Sequence, residues 1–335
     1  PGFRNPLKTI LKEFGGGLTR YRPDESVRPA LPFVYIEKAK SFIFPNINAN
    51  FSDFKHLHDM FSGDWFDVSL NCIDKLDLDC VWRVKEIKGK EIYQIWSPVR
   101  AVALFTLLSV PLRGQQILWL DSGEADKSIP VIDNAGNITW VENKNNLVWS
   151  NKQSFGFIKR YPDGLGMFVT TNKTSLEKPT YSIPYMPHDL AIIIIKLRNW
   201  QSKYNPLNSL TGWDEIRLPR KQNIKMLKAR KKQAFLFRNP CFDKISPYRT
   251  ASAFHHYLPK VLFEIQNHDF PLVNFHGKNK LKTEYTPHSM RVSLITAYVV
   301  DGGVPLQVVS KLVGHASIVM TIYYTKVSSG EIRRE

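Results

Sequence analysis

The chain has 335 residues, with 46 Lys and Arg against 30 Asp and Glu, for a formal net charge of +16. Its 43% hydrophobic content is enough for a core of one large domain or two ordinary ones, which excludes global disorder. The longest apolar stretch, Ala101–Leu112, is too short and too interrupted to span a bilayer. Cys72, Cys80 and Cys241 are too scattered for a disulfide framework or a zinc site, so a reducing, cytoplasmic setting is expected. The chain begins at Pro1, so a fragment or processed form is expected, in which a targeting peptide cannot be judged.

Residues 1–30 are rich in Gly, Pro and Arg and read as a loose lead-in. Gly15-Gly16-Gly17 lacks a following Lys-Ser/Thr and is no phosphate-binding loop. Residues 31–90 mix short helical patterns with turns. Ser97-Pro98 predicts a helix start, with Ser as cap and Pro in the first helical position. That helix should run through Val99–Leu108 and end before Pro111. Gln116–Leu120 opens another short apolar element. Residues 121–151 are polar and turn-rich, with Asp133–Asn137 as a plain turn. Phe155–Lys159, Gly166–Thr171 and Thr180–Tyr185 read as strands. Asp189–Gln201 and Ser289–Val300 read as helices, the second ended by Gly302-Gly303. Leu306–Val313 and Ile318–Tyr324 read as two further short helices.

Charge is unevenly placed. Residues 1–90 carry a net of +2 and residues 91–335 a net of +14. The sharpest run is Arg217 to Lys232, in which Arg217, Arg220, Lys221, Lys225, Lys228, Arg230, Lys231 and Lys232 stand without a single acid. Such a run is either a solvated basic face or a phosphate-contacting arm, because clustered cations repel unless an anion is present. Composition does not separate DNA from RNA or from an anionic membrane.

The chemistry is concentrated near the C-terminal end. His288 and Arg291 are three apart at a helix start, so both side chains share one face. Thr286-Pro287 supplies the start signal. Gly314-His315 follows a short helix, and Tyr324 comes nine residues later. Taken singly, each of these residues is more often a packing residue; the ordered set is what points to binding and attack on a phosphodiester. His255-His256, and the pair His56 and His58, have no metal-ligand spacing and read as packing residues.

This segment resembles the C-terminal signature of the tyrosine recombinase (phage integrase) family. The family's His-x-x-Arg pair is matched by His288 and Arg291. Its Leu-Gly-His box is matched by Val313-Gly314-His315, with Val in place of Leu. Its nucleophile is matched by Tyr324, followed by Thr325 and Lys326; Tyr323 is one residue out of register. Upstream, Val110-Pro111-Leu112-Arg113-Gly114-Gln115-Gln116 is similar to the family's Gly-Leu-Arg-x-x-Glu turn, with Arg113 as the catalytic Arg and Gln116 replacing the Glu. Residues 167–174 and 181–184 fit the family's lysine-bearing β-hairpin, with Lys173 in the turn and Lys178 as its competitor.

The resemblance implies a mainly α-helical fold with a small antiparallel β-sheet, that is, an α+β catalytic domain over residues 91–335. Insertions are expected near 123–164 and 200–284, and residues 1–90 as a partial N-terminal region that forms part of a DNA clamp. It also implies site-specific DNA recombination, by integration or excision of a mobile element, through a 3′-phosphotyrosyl intermediate. In that chemistry Arg113 and Arg291 hold the non-bridging oxygens, His288 and His315 assist, Lys173 protonates the 5′-oxygen and Tyr324 attacks. No metal or other cofactor is required. The implied partner is double-stranded DNA, with a homotetramer on paired sites and weak or no association without DNA; no membrane is involved. The competing readings are a type IB topoisomerase and a non-catalytic DNA-binding protein of the same fold.

Overall fold

A computed structural model describes residues 28–148, 154–171, 180–216, 218, 224–240, 246–276 and 280–313. The sequence expectations for residues 1–27 and for the helix at 318–324 lie outside these residues.

The chain enters through helix α1 (Phe33–Ile43) and the short α2 (Lys55–Met60). A three-stranded antiparallel sheet follows, β1 (Trp65–Val68), β2 (Trp82–Ile87) and β3 (Lys90–Trp96), in the order β1-β3-β2. Helix α3 (Val99–Ser109) begins one residue later than expected, with Pro98 as its cap rather than its first residue. Ten of its eleven residues are buried, which is why its sequence is apolar on every side. It packs on α1, on the long α5 (His188–Tyr204) and on α8 (Pro287–Thr296), so it is the axis of the core. One continuous apolar cluster includes Leu31, Leu107, Ile193 and Leu294. Leu31, Ile36, Ile43, Phe51 and Phe61 therefore lie in the same core as the residues downstream.

After α3 the chain makes a sharp turn through Pro111 into the short α4 (Gly114–Leu118). Strands β4 (Ser128–Ile132) and β5 (Ile138–Glu142) then form a hairpin. The Asp133–Asn137 turn is found as expected, but its flanks are paired strands rather than irregular chain. Strands β6 (Ile158–Tyr161), β7 (Gly164–Val169) and β8 (Tyr181–Ile183) make a second three-stranded antiparallel sheet, with Val169 opposite Tyr181. The predicted strand at 155–159 thus begins later, at Ile158. Beyond α5 come α6 (Ile224–Ala229), α7 (Tyr257–Ile265), the small hairpin β9 (Asn274–His276) and β10 (Lys280–Lys282), α8 and α9 (Leu306–Leu312). A π-helical turn, Ala297–Asp301, extends α8 and ends at Gly302 and Gly303, the latter at φ +59°. The architecture is α+β, and its β content is spread over four separate antiparallel sheets rather than one among the described residues.

Candidate active site

Helix α8 is started by a reciprocal cap. The Thr286 hydroxyl accepts from the Ser289 amide at 3.3 Å, and the Ser289 hydroxyl accepts from the Thr286 amide at 3.0 Å. Pro287 occupies the first turn, where its missing N–H costs nothing. This fixes His288 in the first turn, half-buried, and Arg291 one turn on, fully buried. Ser293 on the same helix accepts from the Leu31 amide at 2.6 Å, tying the chain entrance to the site helix.

Arg291 is anchored by main chain. Its Nη1 donates to the Pro111 carbonyl at 2.6 Å and its Nη2 to the Val313 carbonyl at 3.0 Å. The first bond reaches the turn two residues before Arg113; the second reaches the residue that opens the Val313-Gly314-His315 box. Three segments far apart in sequence are joined by one guanidinium.

Arg113 is the cap residue of α4, half-buried. Its amide donates to Gln116 Oε1 at 3.1 Å. Gln116 Nε2 in turn donates to the Thr171 carbonyl at 2.7 Å and to the Tyr181 hydroxyl at 3.3 Å. Thr171 and Tyr181 lie on either side of residues 172–179, the segment in which the catalytic lysine is expected from the sequence. Gln116 therefore fastens the Arg113 turn to the ends of the paired strands β7 and β8. Gly114 packs closely here: a Cβ would lie 3.2 Å from the Phe254 ring and 3.3 Å from Thr250, so either side chain would have to give by a few tenths of an ångström. Burial pushes the Tyr181 phenol above its ordinary pKa, and the positive charges of Arg291 and Arg113 oppose that rise. Both guanidinium groups thus act on one hydroxyl.

Of the six expected catalytic residues, the structure brings together Arg113, Arg291 and, on the same helix face as Arg291, His288. Lys173, His315 and Tyr324 lie outside the described residues, as do Lys178 and Tyr323. Tyr181 and Thr171 were not singled out by sequence reasoning. The only available signal was strand alternation, which puts Tyr181 opposite the buried Val169.

In the basic run, Arg217, Arg220 and Lys221 lie outside the described residues. The remainder is not a free cationic arm. Helix α6 buries Leu227 against Trp213, Ile216 and Phe235. Arg230 is half-buried, its guanidinium 4.9 Å from the Trp213 ring centre, and burial lowers its pKa. Lys231 Nζ lies 5.7 Å from the Phe155 ring centre. Lys225, Lys228, Lys231 and Lys232 are exposed. His56 and His58 bond the carbonyls of Phe42 and Phe51, and His256 packs edge-on to Tyr257, so these three act in packing. Among the described residues there is no cluster of metal-ligating side chains, and no helix is long and apolar enough to cross a membrane.

Residues 1–214 match the model of a putative integrase family, and residues 206–331 match the model of the phage integrase family. No curated protein matches in sequence. Among solved structures, XerA recombinase is similar at 11% identity and a TM-score of 0.35, covering 98% of this chain and 71% of the other. The XerH site-specific recombinase, solved with its difH substrate in a pre-cleavage complex, gives 12% and 0.38, covering 98% and 60%. The Tn1549 transposon integrase, solved with transposon right-end DNA, gives 12% and 0.33, covering 98% and 89%.

Proposed function

The chain belongs to the phage integrase family of tyrosine recombinases, and from that premise we propose that it cuts and rejoins DNA at specific sites, moving a mobile element by integration or excision. The observation that carries this reading is the convergence of the Arg113 turn and the His288–Arg291 helix through the bond from Arg291 Nη1 to the Pro111 carbonyl. The meeting of the two motifs at one point supports this reading.

In the proposed reaction Tyr324 Oη attacks the scissile phosphorus. A 3′-phosphotyrosyl bond forms, the bond to the 5′-oxygen breaks, and that oxygen takes a proton from Lys173. The free phenol has a pKa near ~10, so a base is needed, and His288 is suited to accept the phenolic proton. Arg113 and Arg291 stabilise the charge that grows on the non-bridging oxygens, with His315 as a further donor. A 5′-hydroxyl from the partner strand then reverses the first step and releases Tyr324. The ester exchange conserves bond energy, so no nucleotide is consumed.

Residues 91–335 carry the catalytic machinery, with 123–164 and 200–284 as insertions, and residues 1–90, part of which packs into the same core, contribute to the DNA clamp. The exposed lysines of the 217–232 run contact phosphates and set affinity rather than sequence choice. Four copies act on two paired sites. The test is incubation of the protein with a pool of DNA duplexes carrying 5′-bridging phosphorothiolates. Their leaving group departs without a proton and cannot efficiently re-attack, so an SDS-resistant protein–DNA adduct accumulates. A purely DNA-binding protein gives none.

A further inference from the structure

A second polar site lies away from these residues, between α5, the β4–β5 hairpin and β6. It is a cavity of about 240 Å³ lined by Ser122, Asp126, Ser128, Lys159, Arg160 and Arg198, among others. Arg198 is 3% exposed. Among the described residues its guanidinium has one hydrogen-bond partner, Asn199 Oδ1, at 3.0 Å from Nη2. A buried cation is costly unless an anion or a full set of acceptors answers it.

The nearby acids are already engaged. Glu124 binds Arg238 through both oxygens, at 2.6 and 3.2 Å, and also accepts from Ser122 at 2.6 Å and Ser202 at 3.2 Å. Asp126 accepts from the amides of Phe155 at 2.7 Å and Gly156 at 2.9 Å and from the Ser154 hydroxyl at 2.7 Å. It also stands 3.9 Å from Lys159 Nζ, which balances its charge. Asp121 spends its oxygens on the amides of Gly123 and Ala234. Burial lowers the Arg198 pKa to about 10, opposed only by Glu124, so the guanidinium remains charged at neutral pH. Arg160, exposed at the mouth, forms no ion pair among the described residues. The wall therefore holds two cations without an ion pair among the described residues, Arg198 and Arg160, beside the Lys159–Asp126 pair.

We propose that this cavity binds a free dianionic oxyanion of phosphate size, held by the Arg198 guanidinium inside and by Arg160 at the mouth. Two cations match a dianion better than a monocarboxylate, and the planar fork of Arg198 suits two oxygens of one group. The bound anion would tie α5 to β6 and to the loop that precedes β4.

The test is calorimetric titration and thermal unfolding of the full chain with potassium phosphate, against potassium acetate at matched ionic strength. Saturable phosphate binding and a rise in Tm specific to phosphate are expected for the wild type. Arg198→Met should lose both, while being no less stable than the wild type in the absence of phosphate, since it removes an unanswered buried charge. Arg160→Gln, at an exposed position that folding does not depend on, should bind phosphate about tenfold more weakly, the scale of one charge-assisted hydrogen bond. An absence of saturable binding in the wild type, an equal response to acetate, or unchanged phosphate affinity in Arg160→Gln and in any folded Arg198→Met would overturn the proposal. None of these outcomes depends on DNA cleavage.

Discussion

Arg291 Nη1 and the carbonyl of Pro111 lie 2.6 Å apart although 180 positions separate them in sequence. The bond makes Arg291 a structural residue as well as a candidate catalytic one. Arg291→Ala leaves two buried carbonyls without this donor, at roughly 1–3 kcal/mol each. Arg291→Lys keeps the charge but, lacking the planar fork, cannot reach both carbonyls in the same geometry. Both variants should lose stability in urea denaturation, Lys less than Ala, and neither should form a DNA adduct. Wild-type stability in Arg291→Lys would show that the carbonyl bonds contribute little.

Gln116 stands where the family's turn carries Glu. Its amide nitrogen donates to the Thr171 carbonyl and the Tyr181 hydroxyl. Restoring the family residue with Gln116→Glu would set a carboxylate against a carbonyl oxygen. The variant should lose about 1–3 kcal/mol at neutral pH and recover part of it in acid, where the protonated side chain can donate again. Denaturant midpoints at pH 5 and pH 8 check this; a variant as stable as the wild type at both contradicts the bridge.

These two bonds mark what the sequence made legible and what it did not. Helix α3 was readable because a continuous apolar run stands between Pro98 and Pro111. Helix α8 was readable from Thr286-Pro287 at one end and Gly302-Gly303 at the other. The strands of the β4–β5 hairpin were not legible although its turn was, because residues 121–151 read as polar and turn-rich; a two-stranded sheet has only edges, and an edge tolerates polar residues and Pro130 alike. The sequence motifs pointed to Arg113, His288 and Arg291 as a set. The bridge through Gln116 to Thr171 and Tyr181 was invisible, since bonds spanning 55 and 65 positions leave no local pattern.

The basic run divides by structure into exposed lysines and a packed arginine. Lys228→Gln and Lys232→Gln should each lower the slope of log affinity against log salt by about 0.9 if each lysine contacts a phosphate. Arg230→Gln should cost stability through lost packing on Trp213 and change the slope less. Filter binding across a salt series measures the slopes. Equal slopes in the wild type and the lysine variants would mean that this face is only solvated.

Asp121 is buried, and with Asp126 and Glu124 nearby its pKa is pushed up to about 7. The folded state then holds a proton that the unfolded state, near ~3.9, has released. Between about pH 4 and pH 7 the folded state binds more protons, so this residue's contribution to stability falls as pH rises through that window. Asp121→Asn loses one amide bond, about 1–3 kcal/mol, but should flatten the pH profile. A steeper fall in the variant than in the wild type, followed by urea midpoints across this range, would contradict the assignment.

The most direct measurement is the identity of the residue that becomes attached to DNA. The adduct trapped on a phosphorothiolate duplex is digested with trypsin and nuclease, and the nucleotide-bearing peptide is located by mass spectrometry. The account predicts attachment at Tyr324, with no adduct from Tyr324→Phe and an undiminished one from Tyr323→Phe. Attachment at any other residue, or an adduct that survives in Tyr324→Phe, would contradict it.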